Sequence, residues 1–512
     1  MHLKITVSRH KDKLYKHAKI VETYRKDGKI KQRVIKNIGG IKTKEDEIRA
    51  RKLLEQMKAG EKLVTLSEVE VNKVLEFGLI YTCEKLFEKY GIKEILSEVF
   101  AEKRIKFEAY EIIAMLVSNR LYKPASDLSA CEWINKEAFT KIKVKEHQVY
   151  RALDLLAEKK EEIEKKIFNK LKKNLNLKVD LVFYDLTSTY FESSNSDLAK
   201  CGYSRCHRPD RKQIVIGVVL CDGLPIAYYV FEGNTVDKKT LKQTLKDLKK
   251  RFRLRNIVFV ADRGIITVDN LKELEQNDYD YILATKRRNE KLVRKLMTKP
   301  IESKDEICVK EVYKEGNKRY ILCLNKEVRE GDLKRLKELR KNLERFLVEN
   351  KDKKDLKIKA YKKFGKATKF IDFKNCKINE EVWRYERKIA GRYLLVTTTK
   401  MEEREVLERY KELKEVENFF RDLKHVVDVR PIYHQKDERI KAHVFVCVLS
   451  LLIKKLIERA TNSKAIKELR RIRVSEIQVE EDILYFTTKL TKEQRDILEG
   501  LKIELPPKIP EM

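Results

Sequence analysis

The sequence predicts an α/β protein: a mixed-sheet core interrupted by an insertion domain, preceded by an N-terminal β-hairpin region and a helical domain. Three observations predict it. Strand-like segments around an Asp-Gly turn open the chain. Long stretches with apolar residues every three or four positions follow. From about residue 177 short apolar strands and amphipathic helices alternate.

Residues 1–65 form the β-rich region. "LKITVSR", "YKHAKIVETYR" and "KIKQRVIKNIGG" are separated by polar turns, with Asp27-Gly28 as the hairpin signal. Over 66–176 the pattern turns helical. "EAYEIIAMLVSNRLY" and "QVYRALDLLAEKKEEIEKKIFNKLKKNL" carry Lys and Arg on the faces away from the apolar stripe. That segment is read as a DNA-binding domain or, equally, as a solvated bundle.

Residues 177–290 begin with three meandering strands, "VDLVFYDLTSTYFE" and "KQIVIGVVLCDGLPIAYYVFEG", the latter folded at Asp222-Gly223. Helix, strand, helix and strand follow, ending at "YDYILATKR". This is the order of a ribonuclease-H-like core. Residues 291–395, including the charged helix "EGDLKRLKELRKNLERFLVENKDKKD", read as the insertion domain. Residues 396–512 read as the rest of the core with C-terminal helices.

Composition limits the function. Across 512 residues, 116 Lys and Arg face 82 Asp and Glu, a net charge of +34 that calls for a polyanionic partner. With 16 Gly and 8 Pro the chain is not of low complexity. The longest apolar run, "VFVCVLSLLI" at 444–453, is about half a membrane-spanning helix and reads as a buried one. No signal-peptide pattern opens the chain, and its nine cysteines contain no C-x-x-C, so a reducing cytoplasm and no membrane are expected. Cys201, Cys206 and His207 would make a zinc site only with a ligand from elsewhere, and none is expected there.

Two core strands run straight into aspartate. "LVFYD" ends its apolar run at Asp185, and "IVFVADRG" does so at Asp262, followed by Arg263. A third carboxylate is sought on the segment 402–424. Read as one helix, it lines up Val406, Tyr410, Leu413 and Phe420, with Glu417 and Lys424 inside that stripe. A carboxylate on a buried face needs a partner. A buried Glu417–Lys424 or Glu417–Arg421 ion pair would supply one. A metal-bound site joining Asp185, Asp262 and Glu417 is the preferred reading, and hard carboxylate oxygens suit Mg²⁺ or Mn²⁺.

These residues also carry a family resemblance. "YDLTSTYFE", "GYSRCHRPDRKQIVIGVV", "VADRG" and "YKELKEVENFFRDLKHVVDVRPIYHQKDERIKAHVFVCVLSLLI" resemble the DDE transposases of bacterial and archaeal insertion sequences. Within them the chain is similar to the group with a Y-x2-R-x3-E-x6-K signature. Tyr410, Glu417 and Lys424 match it, while Leu413 stands where the signature has Arg. The resemblance implies Asp185, Asp262 and Glu417 as catalytic residues holding two divalent ions. It also implies that Tyr410, Lys424, Arg421 and Arg263 contact DNA. The expected partner is double-stranded DNA, both element ends and target, engaged by a homodimer at paired ends. Arg430, His434, Arg439 and His443 are expected to pack and hydrogen-bond among the C-terminal helices. Two other readings stay open: a nuclease that never joins strands, and a non-catalytic DNA-binding protein.

Overall fold

The structure is a computed structural model. It describes the chain apart from residues 11–12, 27, 60–68, 104, 178, 180, 236, 253–257, 262–267, 277–278, 286–290, 351–354, 480–481 and 512. It forms two compact units, one of Met1–Val74 with Val474–Thr487 and Ile509–Glu511, the other of the remainder.

In the first unit β1 (His2–His10), β2 (Lys13–Lys26) and β3 (Lys29–Ile41) make an antiparallel meander. Helix α1 (Lys44–Lys58) starts at a reciprocal cap: the Thr43 hydroxyl accepts from Asp46 N–H, and the Asp46 carboxylate accepts from Thr43 N–H. It packs on β1 and β3, burying Ala50 with Ala18 and Ile41. Strand β4 (Val69–Glu76) is an edge of a second sheet whose other strands come from residues 473–479, its neighbour, and 482–487.

The second unit opens with six helices: α2 (Gly78–Lys89), α3 (Ile92–Ala101), α4 (Ala109–Tyr122), α5 (Asp127–Lys136), α6 (Glu146–Glu158) and α7 (Lys160–Leu175). The main sheet follows, with β5 (Leu181–Tyr190), β6 (Gln213–Cys221) and β7 (Leu224–Glu232) antiparallel. The β6–β7 turn sets Asp222 and Gly223 both at positive φ, 50° and 73°, the conformation an Asp-Gly hairpin turn requires. Then come α8 (Asp237–Lys250), β8 (Val258–Ala261), α9 (Val268–Gln276) and β9 (Asp280–Ala284), with β8 parallel to both β5 and β9.

After α10 (Lys291–Met297), β10 (Ile307–Glu315) and β11 (Lys318–Asn325) join the same sheet. A helical excursion follows: α11 (Lys326–Glu349), α12 (Leu356–Phe364), a 3-10 turn, the short β12 (Ile371–Asp372) and β13 (Lys377–Ile378), and α13 (Glu380–Ile389). It has its own core around Leu343, Phe346, Phe370 and Trp383. The chain returns through β14 (Arg392–Thr397), between β11 and β9, giving the order β10-β11-β14-β9-β8-β5-β6-β7. The segment expected as one insertion, 291–395, is thus divided here. Its strands extend the main sheet, and 326–389 packs around a core of its own.

The chain ends with α14 (Glu403–Lys411), α15 (Lys414–His425), α16 (Asp437–Ala460), α17 (Ala465–Leu469), β15 (Arg473–Val479), β16 (Asp482–Thr487) and α18 (Lys492–Gly500). Every residue of "VFVCVLSLLI" is buried in α16, which packs on α4, α6 and β7. Among the described residues no helix is long and apolar enough to cross a membrane.

Candidate active site

Asp185 does not end its strand. β5 stays paired with β6 from Phe183↔Leu220 to Tyr190↔Gln213, so the predicted strand runs on past the carboxylate and only its apolar run stops there. The hydroxyl residues after it are buried because the following loop folds back over them. Arg205 N–H donates to Ser188 Oγ at 2.9 Å, and the Cys206 thiol donates to the Ser188 carbonyl at 3.1 Å. Gly202 permits that return, since a Cβ there would lie 2.1 Å from the Gly233 carbonyl oxygen.

The pleat decides which way Asp185 faces. Val182, Tyr184 and Leu186 enter the core formed with Leu241 and Leu245 of α8 and Leu274 of α9. Half-buried Asp185 therefore belongs to the other face, with Phe183 and Thr187. Helix α15 packs against β5, and its own buried residues, Val416, Phe419, Phe420 and Leu423, take no part in the α8–α9 core. The carboxylate and the helix bearing Glu417 share one side of the sheet. The neighbouring β8 pairs with β5 from Leu181↔Val258 to Phe183↔Val260 and ends at Ala261. Asp262 and Arg263 come next in the chain and lie outside the described residues.

The segment expected as a single helix over 402–424 is two helices, α14 and α15, broken at Glu412–Leu413. At the junction the bonds tighten from i→i−4 to i→i−3: Leu413 N–H to Tyr410 O, Glu415 to Glu412 and Val416 to Leu413. Each tight step adds about 20° over the α-helical turn. Tyr410, on α14, is therefore turned away from the stripe, while Glu417 and Lys424 stay in phase within α15. Glu417 and Arg421 are exposed, and Tyr410 and Lys424 are half-buried. An exposed Glu417 also removes the buried Glu–Lys or Glu–Arg ion pair as an explanation. Leu413 is only 7% exposed, an apolar core residue where the signature has Arg. Lys454 of α16 holds α15 by a 2.9 Å ion pair to Asp422.

Two further clusters gather Arg430, His434 and His443 with residues that the sequence reading did not single out. The Tyr190 ring, at the end of β5, lies under two guanidinium groups, Arg208 at 5.3 Å and Arg430 at 5.0 Å. The second group joins α4, α5, α16 and the loop between α15 and α16. His434 Nε2 and Asp127 Oδ2 are 2.6 Å apart, His443 Nε2 and the Val429 carbonyl 2.9 Å, and Arg120 Nη2 and His443 Nδ1 3.3 Å. Arg439 pairs with Asp154 at 2.7 Å, in keeping with its expected packing role.

Asp127, His434 and His443 bring three metal-ligating atoms within 4.8 Å of one another. A cation does not fit them. The 2.6 Å contact is a hydrogen bond, and Arg120, 3.8 Å from Asp127, already brings the positive charge. Burial first, then Arg120, pushes the His443 imidazole down to about 3. Burial would raise the Asp127 carboxyl, but the His434 hydrogen bond and the neighbouring positive groups outweigh it and hold it low. Cys201 is exposed, and Cys206 and His207 gather no fourth ligand among the described residues.

Residues 3–67 match the family described as "IS1634 family transposase, N-terminal domain", and residues 180–453 match "Transposase DDE domain". No curated protein is similar to the chain at a significant level. Among solved structures, the piggyBac transposase synaptic complex with hairpin DNA is 11% identical, at a TM-score of 0.36, over 82% of this chain and 79% of that one. The Mos1 transposase paired-end complex with left transposon end is 14% identical, at a TM-score of 0.16, over 35% and 59%. The DDE-domain match alone runs from the strand of Asp185 through the loop and helix of His434 and His443, more than half of the chain, and the protein therefore belongs to the DDE transposases of insertion sequences.

Proposed function

We propose that this insertion-sequence transposase cleaves phosphodiesters at its element ends and joins them to target DNA through Asp185, Asp262 and Glu417. One observation carries the reading: within the matched domain, the helix bearing Glu417 packs on the face of β5 that holds Asp185. Asp262 directly follows β8, the parallel neighbour of β5. The order β7-β6-β5-β8-β9 supports a ribonuclease-H-like core, and of the segment 291–395 we place 326–389, with its own core, as the insertion. Of the segment 66–176, expected to be helical, the start is strand β4, and the helices α2 to α7 that follow it then contribute DNA contacts.

The donor set fits divalent metal. All three groups are carboxylates, hard oxygen ligands suited to Mg²⁺ or Mn²⁺, and Asp185 and Glu417 are not sealed from solvent. Two such ions, when bound, would activate the attacking water or 3′-hydroxyl and stabilise the leaving oxygen. The remaining work falls to the chain. Exposed Arg421 and half-buried Lys424 and Tyr410 would hold phosphates beside the scissile bond, with Arg263 after the second aspartate. Tyr190 with Arg208 and Arg430 would form a stacking and phosphate-binding rim. Double-stranded DNA is the partner, bound by a homodimer at paired ends.

The test is cleavage of a labelled element end in Mg²⁺, beside a gel-shift on the same DNA. Asp185→Asn, Asp262→Asn and Glu417→Gln should each lose cleavage by orders of magnitude while retaining binding. A double variant should be little worse than a single one, because the three act as a unit. Glu417→Gln cleaving like wild type beside an inactive Asp185→Asn would remove Glu417 from the site. Nicking without joining would leave a nuclease.

A further inference from the structure

Strands β2 and β3 outrun the sheet they belong to. β1 accompanies β2 only from His2↔Val21 to His10↔Lys13. Beyond Val21 the two strands continue as a pair alone, from Glu22 opposite Arg33 to Lys26 opposite Lys29. Residues 23–26 and 29–35 are all exposed, so neither face of this ribbon is covered among the described residues.

A two-stranded ribbon without a core is marginal in water. This one also sets Lys26 directly opposite Lys29, and like charges in that position oppose pairing. Its one face carries Tyr24, Lys26, Lys29 and Lys31; the other carries Arg25 and Gln32. Glu22 is already engaged by Arg33 at 2.6 Å and neutralises none of them. Residues 1–41 hold twelve Lys and Arg against three Asp and Glu. Such a ribbon is complementary to a polyanion with a channel of its own width. The major groove of B-form DNA is about 12 Å wide and admits a two-stranded ribbon, whereas the A-form RNA major groove is too narrow. Five residue pairs span roughly 17 Å, about half a helical turn of DNA. A second copy of the chain is a poor occupant, because two such ribbons repel.

We propose that the ribbon from Glu22 to Arg33 enters the major groove of duplex DNA, its lysines neutralising the flanking phosphates. This rests on the transposase reading and adds a DNA-contacting surface in the first unit.

The test uses the full chain with the combined substitutions Lys26→Ala, Lys29→Ala and Lys31→Ala, and a control with Lys→Arg at the same positions. Fluorescence anisotropy on a labelled B-form duplex should show the alanine variant weakened by about tenfold or more near 100 mM salt. Its salt slope should be shallower by roughly 2 to 3, at about 0.9 for each phosphate no longer neutralised. The arginine variant should bind like wild type, and methyl green in the major groove should displace the wild type better than netropsin in the minor groove. An alanine variant with unchanged melting, affinity and salt slope overturns the proposal, as does displacement by netropsin alone. A change in oligomeric state with DNA affinity intact would make the ribbon an interface between copies and equally overturn it. These outcomes leave the transposase reading standing, whereas a wild type that binds no duplex at all would undo that reading itself.

Discussion

His443 is fully buried on α16, and the groups facing it are Arg120 from α4, Asp127 from α5, and His434 and the Val429 carbonyl from the preceding loop. Its imidazole is held neutral, down to about 3, while an unfolded chain takes up the proton near 6.5. Between those values the unfolded state binds more protons, so stability rises with pH there. The contribution is complete above about pH 6.5 and is lost as pH falls towards 3, by at most about 1.4 kcal/mol per pH unit. Thermal melts of wild type and His443→Gln should show wild type ahead at pH 7.5, with the gap narrowing by up to about 2 kcal/mol at pH 5. A gap independent of pH would mean that His443 is not held neutral. The family resemblance brings His434 and His443 to notice but not their partners. Asp127 and Arg120 lie some three hundred positions earlier, and a pairing of that span leaves no periodic trace.

Helix α15 is where the pattern of apolar residues and the structure part. Nothing in "RYKELKEVENFF" marks a break: it has neither Gly nor Pro, and its apolar residues stay near helical phase. Leu413, Val416 and Phe419 are all buried at and after the tight turn at Glu412–Leu413, a spacing that suits a continuous helix equally well, so nothing local announces the break. By contrast, the strands around Asp27-Gly28 and Asp222-Gly223 are legible, because turn chemistry there is local and each buried strand is a short apolar run. Asp185 stands out in the sequence as a carboxylate out of place, but the burial of the hydroxyl residues after it does not, because it depends on a loop folding back. Restoring the signature residue, Leu413→Arg, should lower stability by about 1–3 kcal/mol, since a longer charged chain must replace a packed one. Urea unfolding measures that loss. The same variant should gain no cleavage; a more active and equally stable Leu413→Arg protein would show that the site was built for arginine.

At the scale of the whole molecule, charge is the property that sequence reads most directly and structure changes least. With +34 spread over 512 residues, duplex DNA binding should weaken steeply with salt, log K falling by roughly 0.9 per phosphate contacted. Affinity that barely moves between about 50 and 200 mM salt would contradict a phosphate-dominated interface. The order of the sheet is only half visible in the sequence: the strands to β9 follow from alternation, while β10, β11 and β14 read as part of a separate body. That misplacement points to a property of the sheet. Leu324 of β11 sits opposite Arg392 of β14, and Asn325 N–H donates to the Gly391 carbonyl at 3.0 Å, so the chain departs and comes back at adjoining points. Closing a loop costs only about 0.6 kcal/mol more for each doubling of its length. To the strands on either side, everything from 326 to 391 is thermodynamically a long hairpin turn, free to lengthen or shorten over generations with little consequence for the sheet that carries the carboxylate.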